Sequence, residues 1–241
     1  MLQSPPVERE QYSPSPDSGL FDAFIRRFDV IPADTPALQE KAYRLRYQVY
    51  CCENQYENPD ENLQEMEMDA FDERSIHSLI VDRANGLAVG TVRLIFPDLD
   101  PNKDSFPVQH ICHHPLPNDL SLSSTVEISR FAISKKMRRM ADGDKTVNCS
   151  IILGLMRALV QMSLEYGITD WLAVMEPSLL RLLGRFGIDF DPMGPLVEYH
   201  GVRQPCHINF ERLLEQIRQD HFDLWEFVTE PNESWSAEKV S

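Results

Sequence analysis

The chain has 241 residues, 42% of them hydrophobic, which suits one large α/β domain with a real core, alone or with extensions. A formal net charge of −15 argues against nucleic acid as a partner, because phosphate binding needs a basic footprint. Five cysteines without framework spacing point to a reducing, cytoplasmic setting, and no apolar run of about 18 residues marks a membrane span.

Residues 1–20 are expected to form a disordered tail, since Met1 to Ser18 is rich in Pro, Ser and Glu and has no signal-peptide core. Residues 21–218 are assigned to one domain and 219–241 to a C-terminal extension. The first predicted helix starts at Thr35-Pro36, a cap followed by proline at the first helical position. Leu38, Ala42, Leu45 and Val49 give its buried stripe, and Arg46 and Tyr50, four apart, share a neighbouring face. Residues 53–74 then hold nine acids against a single Arg74 and read as a loop long enough to carry function.

His77 to Asp82 and Leu87 to Phe96 are predicted strands joined through Ala84-Asn85-Gly86, a hairpin signal. An irregular connection, residues 97–124, leads to a strand at 126–133. Lys135-Lys136-Met137-Arg138-Arg139 follows as the only dense basic cluster. Next comes a helix of about 20 residues with Cys149, Ile152, Leu153, Met156, Val160, Ser163 and Leu164 on one stripe. Gly167 ends it. Trp171 to Met175 reads as a buried strand, Pro177 to Phe186 as a helix, Leu196 to Tyr199 as a strand and Phe210 to Arg218 as a helix, with the remainder as tail.

Charged residues stand inside two apolar, β-prone runs, Arg93 in Ala88 to Phe96 and Glu127 and Arg130 in Val126 to Ile133. Desolvating an ion costs several kcal/mol, so such charges either line a cleft or join an ion-pair network. Strict strand alternation sets Glu127 and Arg130, three apart, on opposite faces; only a β-bulge brings both to one cleft. His110, Cys112, His113 and His114 are too crowded within one loop to converge on a metal ion. Cys51-Cys52 has no activating histidine motif.

Taken in order, Arg46 with Tyr50, Glu67-Met68-Asp69-Ala70-Phe71-Asp72, Gly90-Thr91-Val92-Arg93-Leu94 and Glu127-Ile128-Ser129-Arg130-Phe131 resemble the acyl-homoserine-lactone synthases. They resemble still more closely the N-acyl amino acid synthases and the acyltransferases of PEP-CTERM/exosortase systems. All are GNAT-superfamily acyltransferases, and the resemblance spans about residues 38–200. It implies the GNAT fold, an α/β arrangement with a mixed central sheet and flanking helices. It also implies a bulge on the strand that meets the thioester and Glu127 as the general base. The alternative for Glu127 is a strand-edge glutamate held by arginine.

Arg46, Tyr50, Asp69 and Arg130 are then expected at the acceptor, and Glu67, Asp72 and Arg93 in an electrostatic network. The expected donor is an acyl-phosphopantetheine thioester, with no bound cofactor or metal, delivered by an acyl carrier protein that docks on Lys135, Lys136, Arg138 and Arg139, with acyl-CoA as the alternative donor. The acceptor is a small-molecule amine. Homoserine-lactone synthases carry a Trp after the first motif where this chain has Gln55-Tyr56, which counts against S-adenosylmethionine as acceptor. Two alternatives stand beside this reading: a true homoserine-lactone synthase, and a non-catalytic GNAT-fold binding module.

Overall fold

The computed structural model describes residues 18–231, apart from 63, 101, 113–114, 118–119 and 137–144. Most of the expected tail therefore lies outside the described residues, but its last three positions, 18–20, open a helix. That helix, α1 (Ser18–Arg27), leads into β1 (Phe28–Pro32). Sequence reasoning left both unassigned, although Phe21, Phe24 and Phe28 recur at helical spacing and are all buried.

Thr35 caps α2 (Pro36–Tyr47), its hydroxyl accepting from the Leu38 N–H at 3.3 Å. The helix runs on through a π-helical turn over Gln48–Glu53. The hairpin is β2 (Ser75–Asp82) and β3 (Leu87–Ile95). A short helix, α3 (Pro107–Cys112), lies in the connection expected to be irregular, and β4 (Thr125–Ile133) follows. The long helix is α4 (Lys145–Tyr166), succeeded by β5 (Asp170–Met175) and α5 (Pro177–Gly184).

Two short strands, β6 (Asp191–Pro192) and β7 (Val197–Glu198), precede β8 (Val202–Asn209), which the sequence reading missed because Pro205 interrupts a polar run. The chain closes on α6 (Phe210–Asp220) and α7 (Phe222–Thr229). Residues 222–229 were expected as tail. Instead Leu224, Phe227 and Val228 are buried in the main core, with Phe227 stacked on Phe21 at 4.9 Å between ring centroids.

The strands form one sheet in the order β1-β2-β3-β4-β5-β8-β6, with β7 on β8. Among these pairs β4–β5 is parallel and the rest antiparallel. Alternation divides the sheet cleanly. Ile80, Val92, Leu94, Val126 and Ile128 pack in the cluster that contains α4, whereas Leu79 and Val81 meet Ala42 of α2. By length and composition α4 passes for a membrane span, contrary to the expectation that no stretch would. However, 78% of that apolar window is buried inside the fold, as in a core helix.

At the α1–α4 contact Gly154 is required by space: a Cβ there would lie 2.1 Å from Cε2 of Phe24. Gly154→Ala is therefore expected to destabilise the protein by about 1–3 kcal/mol through overpacking. In denaturant unfolding, adding Phe24→Ala to Gly154→Ala should cost less than the sum of the single changes. Strict additivity would mean that the two residues do not touch.

Candidate active site

Two departures from regular pairing open a cleft in the middle of the sheet. On the β3 side, Arg93 pairs with Ser129 and Thr91 with Ala132, so Arg130 and Phe131 together oppose Val92. This is the β-bulge that sequence reasoning required. Arg130 takes a left-handed backbone, φ 50°, and alternation is reset so that Glu127, Ser129 and Arg130 share the α2 face. On the other side, β4–β5 pairing stops at Ile128–Ala173, although β4 runs to Ile133 and β5 to Met175. The strands splay, and the gap is a cleft of about 610 Å³.

A buried ionic cluster walls this cleft. Arg46, with no exposed surface, donates to Glu67 at 2.6 Å and to both oxygens of Asp72 at 2.7 and 3.1 Å. Arg93 grips Asp69 at 2.7 and 3.0 Å, reaches Asp72 at 2.6 Å and donates to Ser129 Oγ at 3.1 Å. Arg130 clamps Glu67, with its shortest contact 2.8 Å, and Asp69 at 3.0 Å. Three guanidinium groups thus face three carboxylates, and the charges cancel.

Burial opposes ionisation of Glu67, Asp69 and Asp72, but the arginine contacts more than offset it and hold all three carboxyls below their usual range. His77, 3.6 Å from Asp72, is pushed down to about 4 by burial and by the Arg46 charge, so it adds no fourth cation at neutral pH. Asp69 and Asp72 also close a capping box on the short turn Ala70–Arg74.

Of the expected acceptor residues, Tyr50, Asp69 and Arg130 line the cleft. Arg46 does not. It is sealed beneath the cluster with its guanidinium spent on Glu67 and Asp72, so its role is structural, which corrects the expectation of acceptor binding. Arg130 is half spent in the same way, and its guanidinium lies 5.2 Å from the Tyr50 ring centroid. Glu67, Asp72 and Arg93 belong to the ionic cluster, and Arg93 also contributes to the cleft wall.

Glu127 lies at the closed end of the splay, on the cleft and 3% exposed. It accepts from the Val108 N–H of α3 at 2.8 Å. Burial pushes its carboxyl up to about 8, because that single bond and the more distant charges of Arg93, Arg74 and Arg130 offset only part of the desolvation. Burial thus sets it apart from Glu67, Asp69 and Asp72, which the arginines hold low.

Of the basic cluster, Lys135 and Lys136 are described. Lys135 bonds back to the acidic loop, its Nζ to the Glu53 carbonyl at 3.3 Å and to Asn54 Oδ1. The Glu53 carboxylate meanwhile accepts from the backbone N–H groups of Lys135 at 2.7 Å and Lys136 at 3.2 Å and from Ser134 Oγ at 2.8 Å. Lys136 is exposed, and Arg138 and Arg139 lie outside the described residues. His113 and His114 of the histidine-rich segment do so too.

Sequence reasoning missed the residues that close the mouth of the cleft. Tyr56 stacks on His200 at 5.1 Å, Tyr199 meets His200 edge-on at 4.5 Å, and the Arg203 guanidinium stands 6.0 Å from the Tyr56 ring centroid. Tyr56 stands 144 positions before His200 in the chain and shares no motif with the Tyr199–Arg203 segment, so no sequence signal joined them.

Asp72 is depressed on folding, so it contributes stability above its unfolded pKa and loses it as pH falls through the folded value. Asp72→Ala, which leaves Arg46 and Arg93 short of a partner, should cost about 3–5 kcal/mol at neutral pH. Glu127 is raised on folding, so its contribution to stability is full below the unfolded pKa and is lost as pH rises toward about 8. Glu127→Gln should accordingly melt higher than wild type at pH 8–9, and the gap should close near pH 5. A constant gap across that range would show that Glu127 is ionised throughout.

Residues 45–144 match the family described as the acetyltransferase (GNAT) domain. No curated protein sequence matches the chain. Among solved structures, TofI, in a ternary complex with an inhibitor and MTA, superposes with a TM-score of 0.58 at 23% identity, covering 76% of this chain and 91% of that one. The CoA-dependent acyl-homoserine lactone synthase BjaI, with SAM and isopentyl-CoA, gives 0.57 at 23% identity, covering 80% and 88%. FeeM, an N-acyl amino acid synthase from uncultured soil microbes, gives 0.54 at 14% identity, covering 81% and 98%. The bulged, splayed sheet of this chain is the GNAT fold.

Proposed function

We propose that this protein is an N-acyltransferase that moves a fatty acyl group from a phosphopantetheine thioester to the amine of an amino acid or related small molecule. The observation that carries the reading is Glu127, a buried carboxyl near neutrality at the point where β4 and β5 part. An amine acceptor arrives largely as ammonium and must lose a proton before it attacks, and a base with a pKa near the working pH suits that task.

In the proposed reaction the amine nitrogen attacks the thioester carbonyl and gives its proton to Glu127, directly or through one water. The C–N bond forms, the C–S bond breaks, and the leaving thiolate takes up the proton that Glu127 received from the attacking amine, the first proton of the ammonium having been released to solvent. Past Ile128, β4 has no partner on the β5 side among the described residues. Backbone N–H groups facing that gap are suited to hold the oxyanion and the pantetheine amides. Asn148, on the cleft wall, keeps a buried Oδ1 without a partner, an acceptor suited to a pantetheine N–H. Ile128, Phe131, Ile152, Val174, Met175 and Leu179 supply an apolar wall for the acyl chain.

The donor reading is a carrier protein rather than coenzyme A. Asp142 and Asp144, which follow Lys136 in the sequence, disfavour a pyrophosphate, whereas Lys136, which is exposed, and Arg138 and Arg139, close to it in the sequence, suit an acidic carrier. A cytoplasmic setting fits the five free thiols. The assignment to an exosortase system rests on the four sequence blocks alone. Homoserine-lactone synthesis from S-adenosylmethionine remains the second reading, because two of the superposed structures carry SAM or MTA.

Turnover with an acyl-pantetheine donor should climb with pH through an apparent pKa near the value of about 8 held by Glu127. Glu127→Gln should lower it by about 10²–10⁴-fold; an unchanged rate removes Glu127 from the chemistry. Lys136→Glu with Arg138→Glu should raise KM for acyl carrier protein steeply in low salt and leave kcat and the use of a short pantetheine thioester nearly unaltered. Better use of acyl-CoA, insensitive to these reversals, would replace the carrier protein by coenzyme A.

A further inference from the structure

We infer that the mouth of the cleft is an acceptor subsite for a carboxylate, with Arg203 as its receptor and Tyr56 and His200 as the stacked wall beside it. The inference rests on the acyl-transfer reading and specifies the acceptor class: an amine that carries a carboxylate, such as an amino acid, rather than a simple alkylamine.

Charge accounting along the cleft leads to Arg203. Of the described arginines and lysines that line it, Arg93 is held by Asp69 and Asp72, Arg130 by Glu67 and Asp69, and Lys135 by the Glu53 carbonyl and Asn54. Arg203 has one ion pair, 3.3 Å to Glu176, whose side chain is 50% exposed, while its own is 13% exposed. Its Nη1 also donates to the neighbouring Val202 carbonyl at 3.2 Å. A pair with a half-exposed partner is screened by water and holds weakly, so a ligand carboxylate can displace Glu176 at small cost. A planar guanidinium suits the exchange, since it can bind both oxygens of a carboxylate.

Backbone geometry supplies a second, independent observation. Among the described residues, four that are not glycine have positive φ: Gln55, Glu65, Arg130 and His200. Two of them, Arg130 and His200, line the cleft, and Gln55 at φ 57° directly precedes Tyr56. Both loops of the Tyr56–His200 stack are therefore held in a left-handed backbone conformation that side-chain-bearing residues adopt only at a cost. Such strain persists where the surroundings over-determine it, as at ligand clamps.

The acids facing the mouth fit the same ligand. Glu57 lies 3.8 Å from Arg130 and 4.0 Å from His200 without a closer ion pair, and it offers a place for the incoming ammonium before the proton passes to Glu127. Glu176 is the group that the acceptor carboxylate replaces. With Arg130 locked into the buried cluster, Arg203 is the cation at the mouth least committed to other partners.

The test compares amino acids with their amides as acceptors, using an acyl-pantetheine donor. Arg203→Met should raise KM for an amino acid by about 10–100-fold, the worth of a charged hydrogen-bonded pair, with a smaller change in kcat and little change for the amide. Arg203→Lys should recover part of the loss. Equal effects on acid and amide would overturn the assignment. A binding arm keeps it apart from the acyl-transfer reading: an N-dodecanoyl amino acid should raise the wild-type Tm more than its amide does, and Arg203→Met should erase that difference. If no thioester supports turnover, the acyl-transfer reading fails while this binding difference still decides the subsite; equal stabilisation by acid and amide, or by neither, would refute it.

Discussion

Everything in the site depends on the neutralised cluster in which Arg46, Arg93 and Arg130 meet Glu67, Asp69 and Asp72. The cluster ties α2, the acidic loop, β3 and β4 together at one place. Each ion left alone there would be costly to desolvate, so the six groups are only tolerable as a set. An acidic loop that would otherwise be repelled from an acidic protein is thereby fixed against the sheet, and the mouth residues Tyr56 and Glu57 are carried with it.

The bulge on β4 is the counterpart of that cluster. It turns Arg130 toward Glu67 and Asp69 at the expense of a left-handed backbone, and the two guanidinium contacts offset the strain. The same irregularity accompanies the early end of β4–β5 pairing, which leaves room between two strands without breaking the sheet. The floor of the cleft thus opens at its centre, with apolar walls from α4 and α5.

Within this frame the carboxyls divide by environment. Asp72 and Glu67 are surrounded by cations and remain ionised, whereas Glu127, with one backbone donor and no adjacent cation, is held up near neutrality. Neighbouring charge, not residue type, sets the two behaviours. Two carboxyls of opposite behaviour therefore stand in one site, Asp72 on the acidic loop and Glu127 on β4.

The sequence by itself determined the hairpin, the long core helix, the four charged blocks and the identity of the network residues Glu67, Asp72 and Arg93, because these signals are local: a turn dipeptide, a helical stripe, ions inside apolar runs. It also posed the question of Glu127 and Arg130, which strict alternation separates. The resemblance pointed to a bulge, but only the tertiary structure places it, opposite Val92, since a bulge depends on how β3 and β4 register and leaves no mark in composition. Tertiary structure likewise turned Arg46 from an expected ligand contact into a buried strut, by setting Glu67 and Asp72 around it. It made a core helix of Phe222–Thr229, whose three apolar anchors are too few to stand out in so short a segment. Finally, it joined Tyr56 to His200 and Arg203, residues far apart in the chain whose proximity only the packing of the acidic loop against β8 creates.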